Sequence, residues 1–234
     1  MKYLVTLAAA LFLIACGDTP NPVGPPDHAP ALGYRAKHAP VESRVFIHYR
    51  PGFEHKDRHK PRGDKTTESS CFSELARGAV WKNTEPYRTT FTLPVATWEF
   101  ENDIFGPEEA GAVPSFNAFN EMDGLNTAQF GPYPDANVIA VTVVWGIFRG
   151  PPGGRELLEW DILMNTHFTF DDADADSTVM DTENIAVHEL GHALGLGHPD
   201  NSCTEETMYA FSTEGETKKR TLEAGDIAGV QSLY

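Results

Sequence analysis

Basic residues are scarce in this sequence. Its 234 residues include 18 Lys and Arg against 34 Asp and Glu, which gives a formal net charge of −16, and the acidic excess lies after residue 65. A surface this acidic repels phosphates, so we expect no nucleic acid among the partners of the chain. We interpret the acidic residues as a solvated surface rather than as a means of attracting Ca²⁺ or basic peptides.

Hydrophobic runs long enough to span a bilayer are absent too. The N-terminal run, MKYLVTLAAALFLIAC, has one early lysine followed by about a dozen mostly apolar residues, which is typical of a secretory signal peptide and too short for a membrane-spanning helix. It ends in Leu13-Ile14-Ala15-Cys16, which resembles the lipobox of bacterial lipoproteins. The resemblance implies cleavage before Cys16 and acylation of that cysteine. An ordinary signal peptide with a chance cysteine is the alternative.

The remaining chain divides by composition into a tether, an arm and a domain. The predicted segments are a signal peptide over 1–15, the lipidated cysteine with a Pro/Gly-rich tether over 16–41, a strand with a basic loop over 42–70, and a single domain over 71–234. We therefore expect an exported lipoprotein that is anchored to a membrane. Gly17, where enterobacterial sorting would use Asp to retain a lipoprotein, favours the outer membrane.

Hydrophobic periodicity predicts a mixed α+β fold with a twisted sheet. Strands are predicted over 42–49, 87–93, 136–146 and 156–170, and helices over 113–122, 182–195 and 221–234. Thr182 and Thr221 are the predicted N-caps of the last two helices. Three histidines near the first strand, His48, His55 and His59, could bind metal, but their spacing fits no single helix face. We interpret them as part of a solvated arm.

The sequence HELGHALGLGH, residues 188–198, carries the strongest functional signal. His188 and His192 are four residues apart, so both imidazoles project from one helix face and can bind one ion. Glu189 is placed to accept a proton rather than to bind the metal. Gly195 can adopt the left-handed conformation that ends a helix, and the turn then delivers His198 as a third ligand. Three histidines without a fourth protein ligand are typical of a catalytic zinc site.

This spacing resembles that of the metzincin zinc peptidases, and within them the matrixins. Met208 in Thr207-Met208-Tyr209 resembles the methionine of the Met-turn beneath the zinc histidines, and Asp226 resembles the aspartate that braces the last helix against that turn. The resemblance implies a mostly parallel sheet, a zinc-site helix and one catalytic Zn²⁺. Pro199 departs from the serine of animal matrixins, so a serralysin-like or independent bacterial branch stays open.

Two further features of animal matrixins are missing. The insert that carries their structural zinc and calcium is absent, and Pro61-Arg62-Gly63-Asp64 contains no cysteine, so any latency must arise without a cysteine switch. The aspartates of 171–176, DDADAD, could bind Ca²⁺, but they lack the spacing of a known calcium loop. A solvated turn is the favoured interpretation.

Cys71 and Cys203 are the two cysteines outside the signal region. In an exported protein two such cysteines usually pair, so we expect a disulfide, with two free thiols as the alternative. Lys218-Lys219-Arg220 follows the Met-turn, where matrixins build one wall of the substrate pocket. We expect this cluster to favour acidic or polar residues after the cleaved bond, unless it is a solvated loop.

Together these features predict a lipid-anchored, monomeric zinc endopeptidase that acts on proteins or peptides. Zinc held by the three histidines activates a water molecule, and Glu189 takes its proton and returns it to the leaving amine. A substrate is expected to lie extended along a sheet edge. The alternative is a surface zinc-binding or adhesion lipoprotein with the same fold and no activity.

Overall fold

A five-stranded sheet lies at the centre of the molecule. The computed structural model describes residues 40–53, 71–75, 83–99, 104–116 and 122–234, all of which belong to one compact unit. The predicted signal peptide, Cys16, most of the tether, His55 and His59 lie outside the described residues. Neither described helix has the length and apolar content needed to cross a bilayer.

The described elements alternate between strands and short turns before the first helix. The strands are β1 (Glu42–Tyr49), β2 (Ser73–Glu74), β3 (Tyr87–Thr89), β4 (Asn126–Gly131), β5 (Val138–Ile147), β6 (Glu156–Asn165), β7 (Phe170–Asp171), β8 (Met180–Asp181) and β9 (Leu196–Gly197). The helices are α1 (Thr182–Ala193) and α2 (Ala224–Leu233), with 3-10 turns at Val95–Thr97, Pro152–Gly154 and Lys218–Arg220.

The central sheet has the strand order β1-β5-β6-β4-β3. Strand β5 is antiparallel to both of its neighbours, whereas β4 pairs in parallel with β6 and with β3. Four of the five strands therefore run in one direction, which confirms the predicted α+β fold with a mostly parallel sheet. Strand β1 pairs with β5 over its whole length, so the sheet includes residues that precede Cys71.

Strand β5 is buried along its entire length because both faces of the sheet are covered. Ala140 and Val144 belong to the main core, which also contains the apolar residues of α1. Val141, Val143 and Trp145 alternate with them and form a second cluster with Tyr49 at the end of β1. The β-branched run of this strand suits a position with packing on both sides.

Three predicted elements differ from those in the structure. Helix α2 begins at Ala224, and its N-cap is Glu223, not the predicted Thr221. The strand predicted over 87–93 ends at Thr89, because the Thr89 hydroxyl accepts a hydrogen bond from the backbone N–H of Phe91 and starts a turn. Residues 113–116 of the predicted helix have no regular structure, and 117–121 lie outside the described residues. Phe116 and Met122 instead pack against the second cluster, so their apolar spacing reflects coverage of the sheet.

Candidate metal centre and active site

Helix α1 begins and ends where its backbone groups find partners. Its N-cap is Asp181, not the predicted Thr182, because the Asp181 carboxylate accepts a hydrogen bond from the N–H of Asn184 at 2.8 Å. The C-terminal end follows the prediction. Gly195 has a φ of +96°, in the left-handed region, and the chain then reverses into β9 and reaches His198.

The Nε2 atoms of three histidines converge on one point. The distances are 3.2 Å between His188 and His192, 3.3 Å between His188 and His198, and 3.1 Å between His192 and His198. Tetrahedral zinc with Zn–N bonds of about 2.0–2.1 Å places neighbouring ligand nitrogens about 3.3 Å apart. The three side chains therefore fit a catalytic zinc ion, as the resemblance to matrixins implies.

The opposite ring nitrogens fix the tautomer of two ligands. His188 Nδ1 donates to the carbonyl of Thr207 at 2.6 Å, and His192 Nδ1 donates to the carbonyl of Leu196 at 2.8 Å. This leaves each Nε2 with a free lone pair. Burial lowers the pKa of all three histidines, that of His198 to about 3, so the imidazoles stay in the neutral form that binds metal.

The turn around Met208 packs against helix α1, which carries His188 and His192. Met208 is buried, and a Cβ added at Gly191 would lie 2.2 Å from its sulfur, so the helix and this methionine approach closely only because residue 191 is glycine. The buried Asp226 carboxylate accepts hydrogen bonds from the backbone N–H groups of Thr207 at 2.8 Å and of Met208 at 3.1 Å. Asp226 therefore braces the turn whose Thr207 carbonyl orients His188.

Asp226→Ala should lower the free energy of unfolding by about 2–6 kcal/mol, because two buried N–H groups lose their acceptor at about 1–3 kcal/mol each. Asp226→Asn is the matched control, since it keeps one acceptor oxygen, and we expect a smaller loss. Guanidinium-induced unfolding at a fixed zinc concentration measures both. Equal stabilities of wild type and the alanine variant would contradict the bracing role.

Glu189 lies beside the ligands with its carboxylate fully buried. Oε1 is 3.0 Å from His48 Nδ1, and Oε2 accepts a hydrogen bond from the Thr142 hydroxyl at 2.5 Å. Burial raises the pKa of Glu189 to about 8, against the opposing effects of the Thr142 hydrogen bond and the positive charge of Lys219. A carboxyl group with a pKa near neutrality can both accept and return a proton.

The comparisons with known proteins agree with this geometry. Residues 149–234, which include α1, the three histidines, Met208 and α2, match the matrixin peptidase family. The match covers 86 of the 234 residues and is a likeness of this part of the chain to the matrixins. The resemblance to that metzincin family is thereby confirmed, and the zinc of the family has a three-histidine site in the chain.

Curated relatives match between about a quarter and a half of the chain. Metalloendoproteinase 4-MMP of Arabidopsis thaliana is 44% identical over 63 residues, which cover 27% of this chain and 18% of the relative. Matrix metalloproteinase-19 of Homo sapiens is 40% identical over 91 residues, covering 37% and 17%. The hatching enzyme of Paracentrotus lividus is 28% identical over 127 residues, covering 50% and 21%. The alignments thus span about a fifth of each relative's length.

His48 is the residue that sequence reasoning missed. The interpretation as part of a solvated arm is wrong, because its side chain is fully buried beside Glu189. Its other ring nitrogen, Nε2, lies 3.1 Å from the Ser212 hydroxyl and 3.3 Å from Lys219 Nζ. Burial lowers the pKa of His48, so the ring is neutral, and Nδ1–H donates to the Glu189 carboxylate.

The basic cluster Lys218-Lys219-Arg220 also differs from the prediction, because one of its side chains is buried. Lys219 is fully buried, and its ammonium group donates to the carbonyls of Tyr209 and Phe211. Burial lowers the pKa of Lys219 to about 7. Neither it nor the ion-paired Arg220 is a free cation on a pocket wall, so the predicted preference for acidic residues has no support from these two side chains.

The aspartate-rich turn binds this arginine. Arg220 forms ion pairs with Asp172 and Asp174, each at 2.7 Å, and with Asp181, the N-cap of α1. A guanidinium group among the carboxylates takes the place that Ca²⁺ would need. Within the described ranges, clustered metal-ligating side chains occur only around the three zinc histidines and at His48, His188 and Glu189.

Cys71 and Cys203 are joined by a disulfide between residues 132 positions apart in sequence. Two residues after Cys71, β2 pairs with β9, the strand that immediately precedes His198. The disulfide and the β2–β9 pair therefore connect residues 71–74 to the segment around His198, the third zinc ligand.

Proposed function

We propose that the chain is a zinc-dependent endopeptidase of matrixin type. The observation that carries the proposal is the convergence of three neutral imidazole nitrogens next to the buried Glu189 carboxyl group. Glu189 lies on the same helix as two of the histidines, His188 and His192. Zinc, when bound, supplies Lewis acidity that polarises a peptide carbonyl and activates water. His188, His192 and His198 hold the ion, and the Glu189 carboxylate holds the proton and passes it to the leaving amine.

The proposed substrate is an extended protein or peptide segment. The family match supports peptide-bond hydrolysis, and the names of the relatives describe metalloendoproteinases. An extended segment can add to the edge of a sheet through backbone hydrogen bonds. The edge near Glu189 is the one formed by β5 and the outer strand β1, since Thr142 of β5 and His48 of β1 both hydrogen-bond to its carboxylate. We propose that the chain acts as a monomer.

A mixed peptide library tests the activity. Purified protein is incubated with the library in the presence and absence of a chelator, and cleavages are mapped by mass spectrometry. We expect cleavage that disappears with the chelator and returns when zinc is added. A protein that binds zinc yet cleaves no peptide would instead favour the inactive zinc-binding or adhesion lipoprotein.

We also propose that the protein is exported and anchored through Cys16, on the basis of the lipobox-like LIAC sequence. Cys16→Ser should move the protein from the membrane to the soluble fraction, because acyl chains then have no attachment site. Fractionation followed by immunoblotting measures the shift, and Thr19→Ser is a control that changes the same segment and keeps Cys16. A Cys16→Ser protein that stays in the membrane fraction would contradict the anchor.

A further inference from the structure

Strand β1 occupies the sheet edge nearest to the zinc histidines. It runs antiparallel to β5 from Glu42 opposite Gly146 to His48 opposite Ala140, and it forms the outer strand of the sheet. Without β1, β5 would be the edge strand and would offer its backbone groups to an extended peptide. The chain's own N-terminal strand therefore fills the position that an added peptide strand would take.

Alternate side chains of β1 cover the site. Phe46 stacks on the ring of His192, with 4.0 Å between centroids and 6° between planes, and its ring lies edge-on to His198 at 6.4 Å. His48, two residues on, has its ring centroid 4.0 Å from that of His188. All three zinc ligands thus have a ring from β1 against them.

Strand β1 also binds Glu189, the proposed proton-transfer residue. One carboxylate oxygen of Glu189 accepts a hydrogen bond from His48 on β1, and the other accepts one from Thr142 on β5. Thr142 is itself the β5 residue opposite Phe46. With both oxygens bonded within the protein and no exposed surface, Glu189 cannot reach a substrate or its water.

We propose that β1 is an autoinhibitory strand: it occupies the peptide-binding edge of β5, caps the zinc histidines with Phe46 and holds Glu189 through His48. The active form is the one in which β1 has left β5. This inference rests on the proposed function, and it differs from a cysteine switch because the covering residues are an aromatic ring and an imidazole.

The attachment of β1 to the domain is compatible with release. Neither cysteine of the disulfide lies in β1, so the strand is held by non-covalent contacts: its ladder with β5, the backbone bridge of Tyr49 with Phe211, and its side chains. Val45, on the face opposite Phe46, is 44% exposed. The ion pair of Glu42 with Arg149 involves an arginine side chain that is 75% exposed, and such pairs contribute little to stability.

The test compares two neighbouring residues of β1 in the full zinc-loaded chain. Phe46→Ala removes the ring that covers His192, and Val45→Ala is the matched control because its side chain makes no contact with the site. A third protein carries a specific protease site between Gly63 and Asp64, so that β1 can be cut from the domain in the Phe46→Ala background. For each we measure kcat/KM on a fluorogenic peptide, the rate of zinc removal by a chelator, and hydrogen exchange of the β5 amides.

We expect Phe46→Ala to raise kcat/KM and the rate of zinc removal by about tenfold or more, since a substrate binds only the uncovered fraction of molecules. The cut protein should show the largest increases, together with faster exchange of the β5 amides that face β1. A synthetic peptide of residues 40–53 should reverse these changes. Val45→Ala should behave like wild type.

Two results would overturn the proposal. In the first, hydrogen exchange of the β5 amides shows that β1 has left β5, while the rate of zinc removal and kcat/KM stay at their wild-type values. The strand then does not cover the site. If His48→Ala and Phe46→Ala lower kcat/KM, β1 instead positions the catalytic groups. Failure of the peptidase proposal is distinguishable, because zinc removal and hydrogen exchange would still change in the cut protein while no variant cleaved peptide.

Discussion

Glu189→Gln should retain one zinc per chain and the native fold, yet cut peptide hydrolysis by roughly 10²–10⁴-fold, the contribution of a positioned acid–base group. Glutamine matches the shape of glutamate and can still accept the hydrogen bond from Thr142, but its amide does not take up a proton. Glu189→Ala should lose as much activity and also remove the carboxylate acceptor of His48 Nδ1–H and of the Thr142 hydroxyl. Comparing the two variants separates proton transfer from packing.

His192→Ala is the contrasting variant, because it removes a ligand instead of the base. Two remaining imidazoles hold zinc poorly, so zinc content and activity should fall together. Atomic absorption gives the zinc content, and a fluorogenic peptide gives the rate. A Glu189→Gln protein with full activity, or a His192→Ala protein that keeps its zinc and its activity, would contradict these roles.

Loss of the disulfide should have the largest effect on stability. The bond joins residues 132 positions apart, and loop-closure entropy for a loop of more than 100 residues corresponds to roughly 5 kcal/mol of free energy of unfolding. We expect Cys71→Ala/Cys203→Ala to lose most of this amount. The loss should extend to zinc affinity, because β2 and β9 then lose the cross-link beside His198.

Guanidinium-induced unfolding of oxidised wild type, reduced wild type and the double variant measures the effect at one fixed zinc concentration, since bound zinc itself raises the apparent stability. The reduced wild type is the matched control because it lacks the bond but keeps both side chains. A double variant as stable as the oxidised protein would show that the covalent bond contributes nothing to the fold.

The sequence specified the zinc site well because its signal is local. His188, Glu189, His192 and His198 lie within eleven residues, so helix periodicity and one glycine turn are enough to bring them together. Strand β5 was equally clear, since a β-branched run of ten residues is unusual outside a buried strand. Asp181, not Thr182, is the N-cap because its carboxylate accepts the hydrogen bond of the Asn184 N–H. The ion pair of the same carboxylate with Arg220 joins residues 39 positions apart, so no local pattern encodes it.

His48 and Lys219 were misread because their partners are distant in sequence. His48 is 141 residues from Glu189 and 171 from Lys219, and the polar residues that follow it indicated a solvated segment. A signal was present: Val45, Ile47 and Tyr49 alternate with Phe46 and His48 in a strand, which places the histidine on a face with an aromatic residue. A buried lysine, in turn, is recognisable only once its carbonyl acceptors are known.

The order of β1 and Asp226 along the chain has a consequence for biosynthesis. Translation proceeds from the N-terminus, so β1 is made before β5, α1 and every zinc ligand, whereas Asp226, which fixes the Met208 turn, is made near the end. The turn that orients His188 cannot form until the last helix has emerged, and by then the strand that lies over the histidines is already present. A newly made molecule therefore completes its metal site with β1 already over the histidines. Under the proposed autoinhibition, the cell that makes it need not encounter the active form, in which β1 has left β5.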